Sequence, residues 1–190
     1  FTLDKLTVLD SSSRAVRLTE QANGTYTFVM PASDATVEAV FQIRPAFTDV
    51  PSGSYYEDAV LWAVGEGITT GTSAQAFAPD GSCTRAQAVT FLWRAAGSPA
   101  PVSAKTRFAD VAASSYYSDA VLWAVENGIT NGTSDTTFSP DAVCTRAQIV
   151  AFLWRAKGSP AVGSGTRFAD VAETAYYADA VLWAVKEGVT

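Results

Sequence analysis

The chain has 190 residues, 48% hydrophobic and 12% aromatic, with 13 Lys and Arg against 19 Asp and Glu for a formal charge of −6. That much apolar material argues against a disordered chain, and the acidic balance argues against bulk attraction to nucleic acid or to an anionic membrane. Histidine is absent, which removes Ser-His-Asp and Cys-His catalysis, the HExxH motif and most zinc sites with nitrogen ligands.

Residues 1–45 form the first region. Arg14 to Thr19, Thr25 to Met30 and Thr36 to Phe41 show β-branched or aromatic alternation, and Asn23-Gly24 is a hairpin signal. A small all-β segment is predicted. The run TYTFVMPASDATVEAVF, Thr25 to Phe41, resembles the closing strands of bacterial surface β-repeat modules of the internalin B-repeat type. It would be part of such a module, and the chain is expected to be a piece of a longer protein. No run of about 18 apolar residues marks a membrane span, and no basic stretch followed by an apolar one marks a signal peptide.

From Phe47 onward the chain repeats itself at 60 to 61 residues. Phe47 to Pro99 reads FTDVPSGSYYEDAVLWAVGEGITTGTSAQAFAPDGSCTRAQAVTFLWRAAGSP, and Phe108 to Pro160 reads FADVAASSYYSDAVLWAVENGITNGTSDTTFSPDAVCTRAQIVAFLWRAKGSP. A third copy opens at Phe168 and runs to Thr190. The units are 46–106, 107–166 and 167–190. Each begins with a helix: Asp58 to about Glu66, where Ala59, Val60, Ala63 and Val64 form an apolar stripe and Gly67 suits a left-handed cap, then Asp119 to Gly128 and Asp179 to Gly188. Second helices are predicted at Arg85 to Ala96, with Ala86, Val89, Leu92 and Trp93 at helical spacing, and at Arg146 to Lys157. Neither pair can bury its own apolar face, so the copies must pack on one another in a mainly α assembly with pseudo-symmetry. Between the helices, the loop Thr69 to Ser82 and its twin, built around Phe77 and Phe138, lie where a helical scaffold would meet a ligand.

The pentapeptides Cys83-Thr84-Arg85-Ala86-Gln87 and Cys144-Thr145-Arg146-Ala147-Gln148 carry the most chemistry. Thr84 with Gln87, and Thr145 with Gln148, form capping boxes that satisfy orphan N–H groups. Arginine in the first turn is not explained that way, because it meets the positive end of the helix dipole at a cost of about 0.3–1 kcal/mol. An anion docked at the helix start would gain from the N–H groups, the dipole and the guanidinium together. A structural ion pair of Arg85 with Asp80, or of Arg146 with Asp141, is the alternative. Cys83 and Cys144, equivalent in their repeats, read as small buried hydrophobes, with a disulfide between them left open.

These pentapeptides, with the FTDV and FADV openings, the DAVLWAV helix, GIT before a small-residue loop and F-x-P-D before the second helix, resemble S-layer homology (SLH) repeats with their ITRAE-type signature. The likeness spans Phe47 to Thr190. It implies non-covalent anchoring of an exported protein to a Gram-positive-type cell wall. The implied fold is a pseudo-threefold helical bundle, and the implied partner an anionic secondary wall polysaccharide, often pyruvylated, gripped by the signature arginines Arg85 and Arg146. Three departures stand out. Cysteine replaces a branched apolar residue, glutamine replaces glutamate at 87 and 148, and the third copy contains no Thr-Arg-Ala-Gln segment. The loss of the glutamate charge should favour an anion beside the arginine.

Other candidate ligand residues each have a bland counterpart. Asp49, Asp110 and Asp170 are turn or capping residues, or groove contacts. Trp62, Trp123 and Trp183 pack between repeats, or stack on a sugar. Gly71 and Gly132 are ordinary loop glycines, or bring N–H groups to a ligand. The segment Asn131 to Asp141 lacks EF-hand spacing. No metal, cofactor or catalytic group is expected, since no nucleophile can be paired with a base. The expected partner is the polysaccharide, or copies of the same chain in a surface array or completing the third repeat, with no nucleic acid and no membrane insertion.

Overall fold

The computed structural model describes residues 2–42, 47–163, 165 and 168–190. The chain divides into two compact units, Phe1–Phe47 and Thr48–Thr190.

In the first unit, strand β1 (Thr2–Asp10) pairs antiparallel with β4 (Ala35–Gln42), with Val8 opposite Val37 and an irregularity between Leu3 and Lys5. Strands β2 (Leu18–Glu20) and β3 (Tyr26–Phe28) form a hairpin. Its turn follows the Asn-Gly signal: Gly24 takes φ +76°, and the Asn23 side-chain oxygen accepts from the Thr25 N–H at 3.1 Å. The expected strand at Arg14 to Thr19 shrinks to Leu18–Glu20, and β1 was not anticipated. Val8, at 1% exposure, is the buried centre of this unit.

Five helices make up the second unit among the described residues: α1 (Glu57–Gly65), α2 (Arg85–Ala95), α3 (Ser118–Glu126), α4 (Arg146–Ala156) and α5 (Ala178–Lys186). Each lies within a residue or two of its predicted bounds. The two types start differently. Both α2 and α4 open on complete capping boxes, in which Thr84 and Thr145 accept from the Gln87 and Gln148 N–H groups while the glutamine side chains accept from the threonine N–H groups. By contrast α1, α3 and α5 follow Tyr56, Tyr117 and Tyr177 with no side-chain cap. Gly67, Gly128 and Gly188 all take positive φ at the predicted ends.

Packing runs across the repeats. Helix α2 packs on α3, and α4 on α5. The core therefore joins Ala86 and Val89 of one repeat to Phe108, Val121, Ile129 and Phe138 of the next, each large side chain contributing about 1.5–3 kcal/mol of burial. The stripe residue Ala120 and its counterpart Ala180 are 0% exposed under these neighbouring helices. Their twin Ala59, on α1, is exposed.

Candidate functional site

The two Thr-Arg-Ala-Gln starts are identical in sequence and different in surroundings. Arg85 is only 4% exposed. Its Nε donates to the Phe138 carbonyl at 2.8 Å and its Nη2 to the Thr130 hydroxyl at 3.4 Å, and the guanidinium lies 4.9 Å from the Phe138 ring centre and 5.4 Å from that of Phe152. The N–H groups of Arg85 and Ala86 donate to the Ala142 and Pro140 carbonyls. Burial pulls the Arg85 pKa down, against the opposing pull of Cys144, Tyr176 and Asp110, yet a guanidinium stays charged. Arg85 thus clasps one repeat to the next. The helix-start groups expected to hold an anion at this copy are taken by the loop of the second repeat.

Arg146 is exposed. Its Nη2 donates to the Thr190 hydroxyl at 3.1 Å, the counterpart of the Arg85 bond to Thr130. Among the described residues, no partner accepts from the Arg146 and Ala147 N–H groups at the start of α4. With Asp170, Tyr177 and Thr190, Arg146 lines a groove of about 330 Å³. Arg146 and the start of α4 share one groove wall, the pairing of helix start and guanidinium that the dipole argument asks for; the counterparts of Phe138, Pro140 and Ala142, which cover the start of α2, would come after Thr190. No ion pair of either arginine with Asp80 or Asp141 occurs among the described residues.

A second groove, of about 440 Å³, lies in the first repeat between its loop and α2, with Thr69, Phe77, Gln87, Phe91 and Arg94 in its wall and Tyr116 reaching in from the next repeat. Arg94 was not singled out from sequence. It donates to the Ile68 carbonyl at 3.1 Å, and Arg155 does the same to Ile129 at 3.2 Å. The repeated FLWRA run was the available signal for both.

The remaining candidates scatter. Asp110 accepts from the Phe138 N–H at 2.9 Å and the Ser139 N–H at 2.7 Å, as Asp49 does from Phe77 and Ala78. Burial pushes the Asp110 pKa up, but these bonds and the Arg85 charge outweigh it and hold the carboxyl below its usual value. Asp49 is likewise lowered, chiefly by its backbone bonds. These two carboxylates order loops, whereas Asp170 faces the Arg146 groove. The glycine N–H groups proposed for a ligand are engaged locally, since Gly71 donates to the Thr69 hydroxyl and Gly132 to that of Thr130, both at 3.2 Å. Gly132 has a packing reason as well: at φ +85° a Cβ there would stand 2.5 Å from Phe108 Cε1. Trp183 is 8% exposed, Trp123 half-buried and Trp62 60% exposed, so Trp62 is the most open of the three to stacking and Trp183 is the most enclosed. Cys83 and Cys144 are free thiols, each half-buried rather than fully enclosed.

Comparison with known proteins bears on this geometry. The S-layer homology domain model matches at residues 46–89 and again at 107–150. The chain is 33% identical over 71% of its length to the Surface-layer 125 kDa protein of Lysinibacillus sphaericus, of which that stretch is 11%. It is 31% identical over 62% of its length to a Cell surface protein of Thermoanaerobacter kivui, covering 16% of it. With the S-layer protein EA1 of Bacillus anthracis the identity is 29% over 68% of the chain and 15% of the relative. The chain thus spans less than a fifth of the length of these relatives.

Proposed function

We propose, from the two S-layer homology domains that this cell-surface chain carries, that it anchors an exported protein to the bacterial wall by gripping an acidic secondary wall polysaccharide through Arg146. The observation that carries this reading is the repeated Thr-Arg-Ala-Gln helix start within the two matched domains, which at α4 sets Arg146 beside Asp170, Tyr177 and Thr190 along one groove. A pyruvyl or uronic carboxylate fits that chemistry, and the Thr190, Tyr177 and Asp170 side chains suit sugar hydroxyls. Arg85 belongs to the scaffold in this reading. The parent protein is a structural surface protein, and the polymer rather than a reaction is what these repeats serve.

Phe168 to Thr190 is read as a third SLH repeat, and the whole as a pseudo-threefold bundle. Two features support closure. Thr69, Phe77 and Phe91 in the first-repeat groove are the counterparts of Thr130, Phe138 and Phe152, which surround Arg85. The α1 face carrying Ala59 and Trp62 is exposed where α3 and α5 are covered. A Thr-Arg-Ala-Gln helix from a complete third repeat, in the same chain or another, would suit both. Residues 1–45 are read as the end of a β-repeat spacer.

The test is sedimentation with purified wall sacculi, before and after removal of the secondary polymer, comparing the protein with its Arg146→Ala variant. Polymer-dependent sedimentation that drops in the variant supports the reading. Equal sedimentation of both proteins with intact sacculi refutes the role of Arg146, and equal sedimentation with and without polymer refutes the polymer.

A further inference from the structure

We infer that Cys83 and Cys144 are a latent disulfide pair, a covalent latch across the join between the first two repeats that closes when the protein meets a small disulfide oxidant. The argument begins with the backbone. Thr84 and Val143 form an isolated antiparallel bridge, flanked by the bonds from the Arg85 N–H to Ala142 and from the Cys144 N–H to Cys83, both 2.9 Å. Cys83 and Cys144 lie one step out from that bridge and are joined by one of the two bonds of a hydrogen-bonded pair, the Cys144 N–H to the Cys83 carbonyl, which sets them across from each other. Opposed residues at hydrogen-bonded positions have Cα atoms about 5.5 Å apart, inside the span of about 4.4–6.8 Å that a disulfide accepts. Their side chains also leave the ladder on the same face.

Three further observations agree. Cys83 is among the charges that act on the Cys144 thiol, alongside Arg85, as expected of groups near one another. Both thiols are half-buried, open enough for a small oxidant and too enclosed for easy cross-linking to another protein. They are also the only cysteines in the chain, so no third thiol competes for the pairing. Burial raises both thiol pKa values, which keeps the thiolate scarce at neutral pH and the latch slow to close. A cell-surface location supplies the setting in which protein disulfides persist.

The chemistry balances with the oxidant named. One cysteine thiolate attacks a sulfur of the small aliphatic disulfide, expelling one small thiolate and leaving a mixed disulfide. The second cysteine, as thiolate, attacks the protein sulfur of that mixed disulfide and expels the other small thiolate. Two protein thiols are oxidised to one S–S bond, the oxidant is reduced to two thiols, and the protein's two protons end on them.

The experiment exposes the full, folded chain to glutathione disulfide at neutral and at raised pH. It then denatures the protein for thiol counting, intact mass and a non-reducing peptide map. The expected result is loss of both thiols together and a monomer lighter by two hydrogen atoms. The map should join the Cys83 and Cys144 peptides, with the reaction faster at higher pH and reversed by a dithiol reductant. Stable glutathione adducts on the unaltered protein, a covalent dimer, or two thiols that persist at raised pH would each overturn the proposal. Cys83→Ser and Cys144→Ser should halt at a single glutathione adduct. If a variant does not fold, the peptide map of the unaltered protein decides alone.

Discussion

Arg85 and Phe138 meet twice across the join between repeats, once through the Nε bond to the Phe138 carbonyl at 2.8 Å and once through the guanidinium 4.9 Å from the centre of the same residue's ring. Removing Arg85 strands a buried carbonyl and empties space against two aromatic rings. Arg85→Ala should therefore destabilise the fold by about 2–4 kcal/mol, combining a lost charged hydrogen bond with lost cation–π contact. Arg85→Lys should recover part of this, because an ammonium lacks the planar fork. The urea midpoint checks it, with Arg146→Ala as a comparison expected to stay within about 0.5 kcal/mol of the parent.

The paired Asp49 and Asp110 set an acid limit. Both ionise below the ordinary Asp value in the folded protein, so the folded state binds fewer protons than the unfolded one. Their stabilisation is complete above the ordinary Asp value of about 3.8 and is lost as pH falls through the lower folded values. Asp110→Asn should flatten that acid limb in a urea series from about pH 6 down to about pH 3. An unchanged limb would acquit Asp110.

Two glycines with similar φ predict different costs. Gly128 has φ +67° with nothing within 4 Å of a notional Cβ, whereas at Gly132 that atom would collide with Phe108 and the Thr137 carbonyl. Gly128→Ala should cost about 1 kcal/mol from backbone strain alone. Gly132→Ala should cost about 3 kcal/mol or more, since the packed ring must also move. Thermal unfolding of the two variants side by side tests the difference.

At α4, Gln148 accepts from the Thr145 N–H at 3.0 Å. Gln148→Glu keeps the capping box and adds a negative charge to the first turn, so the fold should hold or gain about 0.3–1 kcal/mol. Sedimentation with wall polymer should weaken because the new carboxylate competes for Arg146, whereas Thr145→Ala should cost about 1 kcal/mol of stability.

How much of this was legible depended on range. Thr84 with Gln87, and Gly67, Gly128 and Gly188, marked helix starts and ends because capping is chemistry within one turn. Strand β1 escaped because Leu3, Leu6, Val8 and Leu9 do not alternate, and its register shifts beside Leu3. The division of labour between Arg85 and Arg146 was out of reach of local reading. Both arginines of the identical pentapeptides donate to the equivalent threonine hydroxyl, and the carbonyl that buries Arg85 belongs to Phe138, 53 positions away. The opposition of Cys83 and Cys144 is hidden for the same reason, since 61 positions separate two residues that one bridge brings face to face.

Because α2 rests on α3 and α4 on α5, the module that recurs in the text of the sequence and the module that coheres in space are half a period out of phase. A recombination crossover placed ahead of Phe108, where the repeat begins on paper, would part Arg85 from Phe138 and Val89 from Val121. Shuffling such arrays at their visible borders would thus trade neighbours across every join, and a repeat's fitness would depend on the residues of the one that follows it.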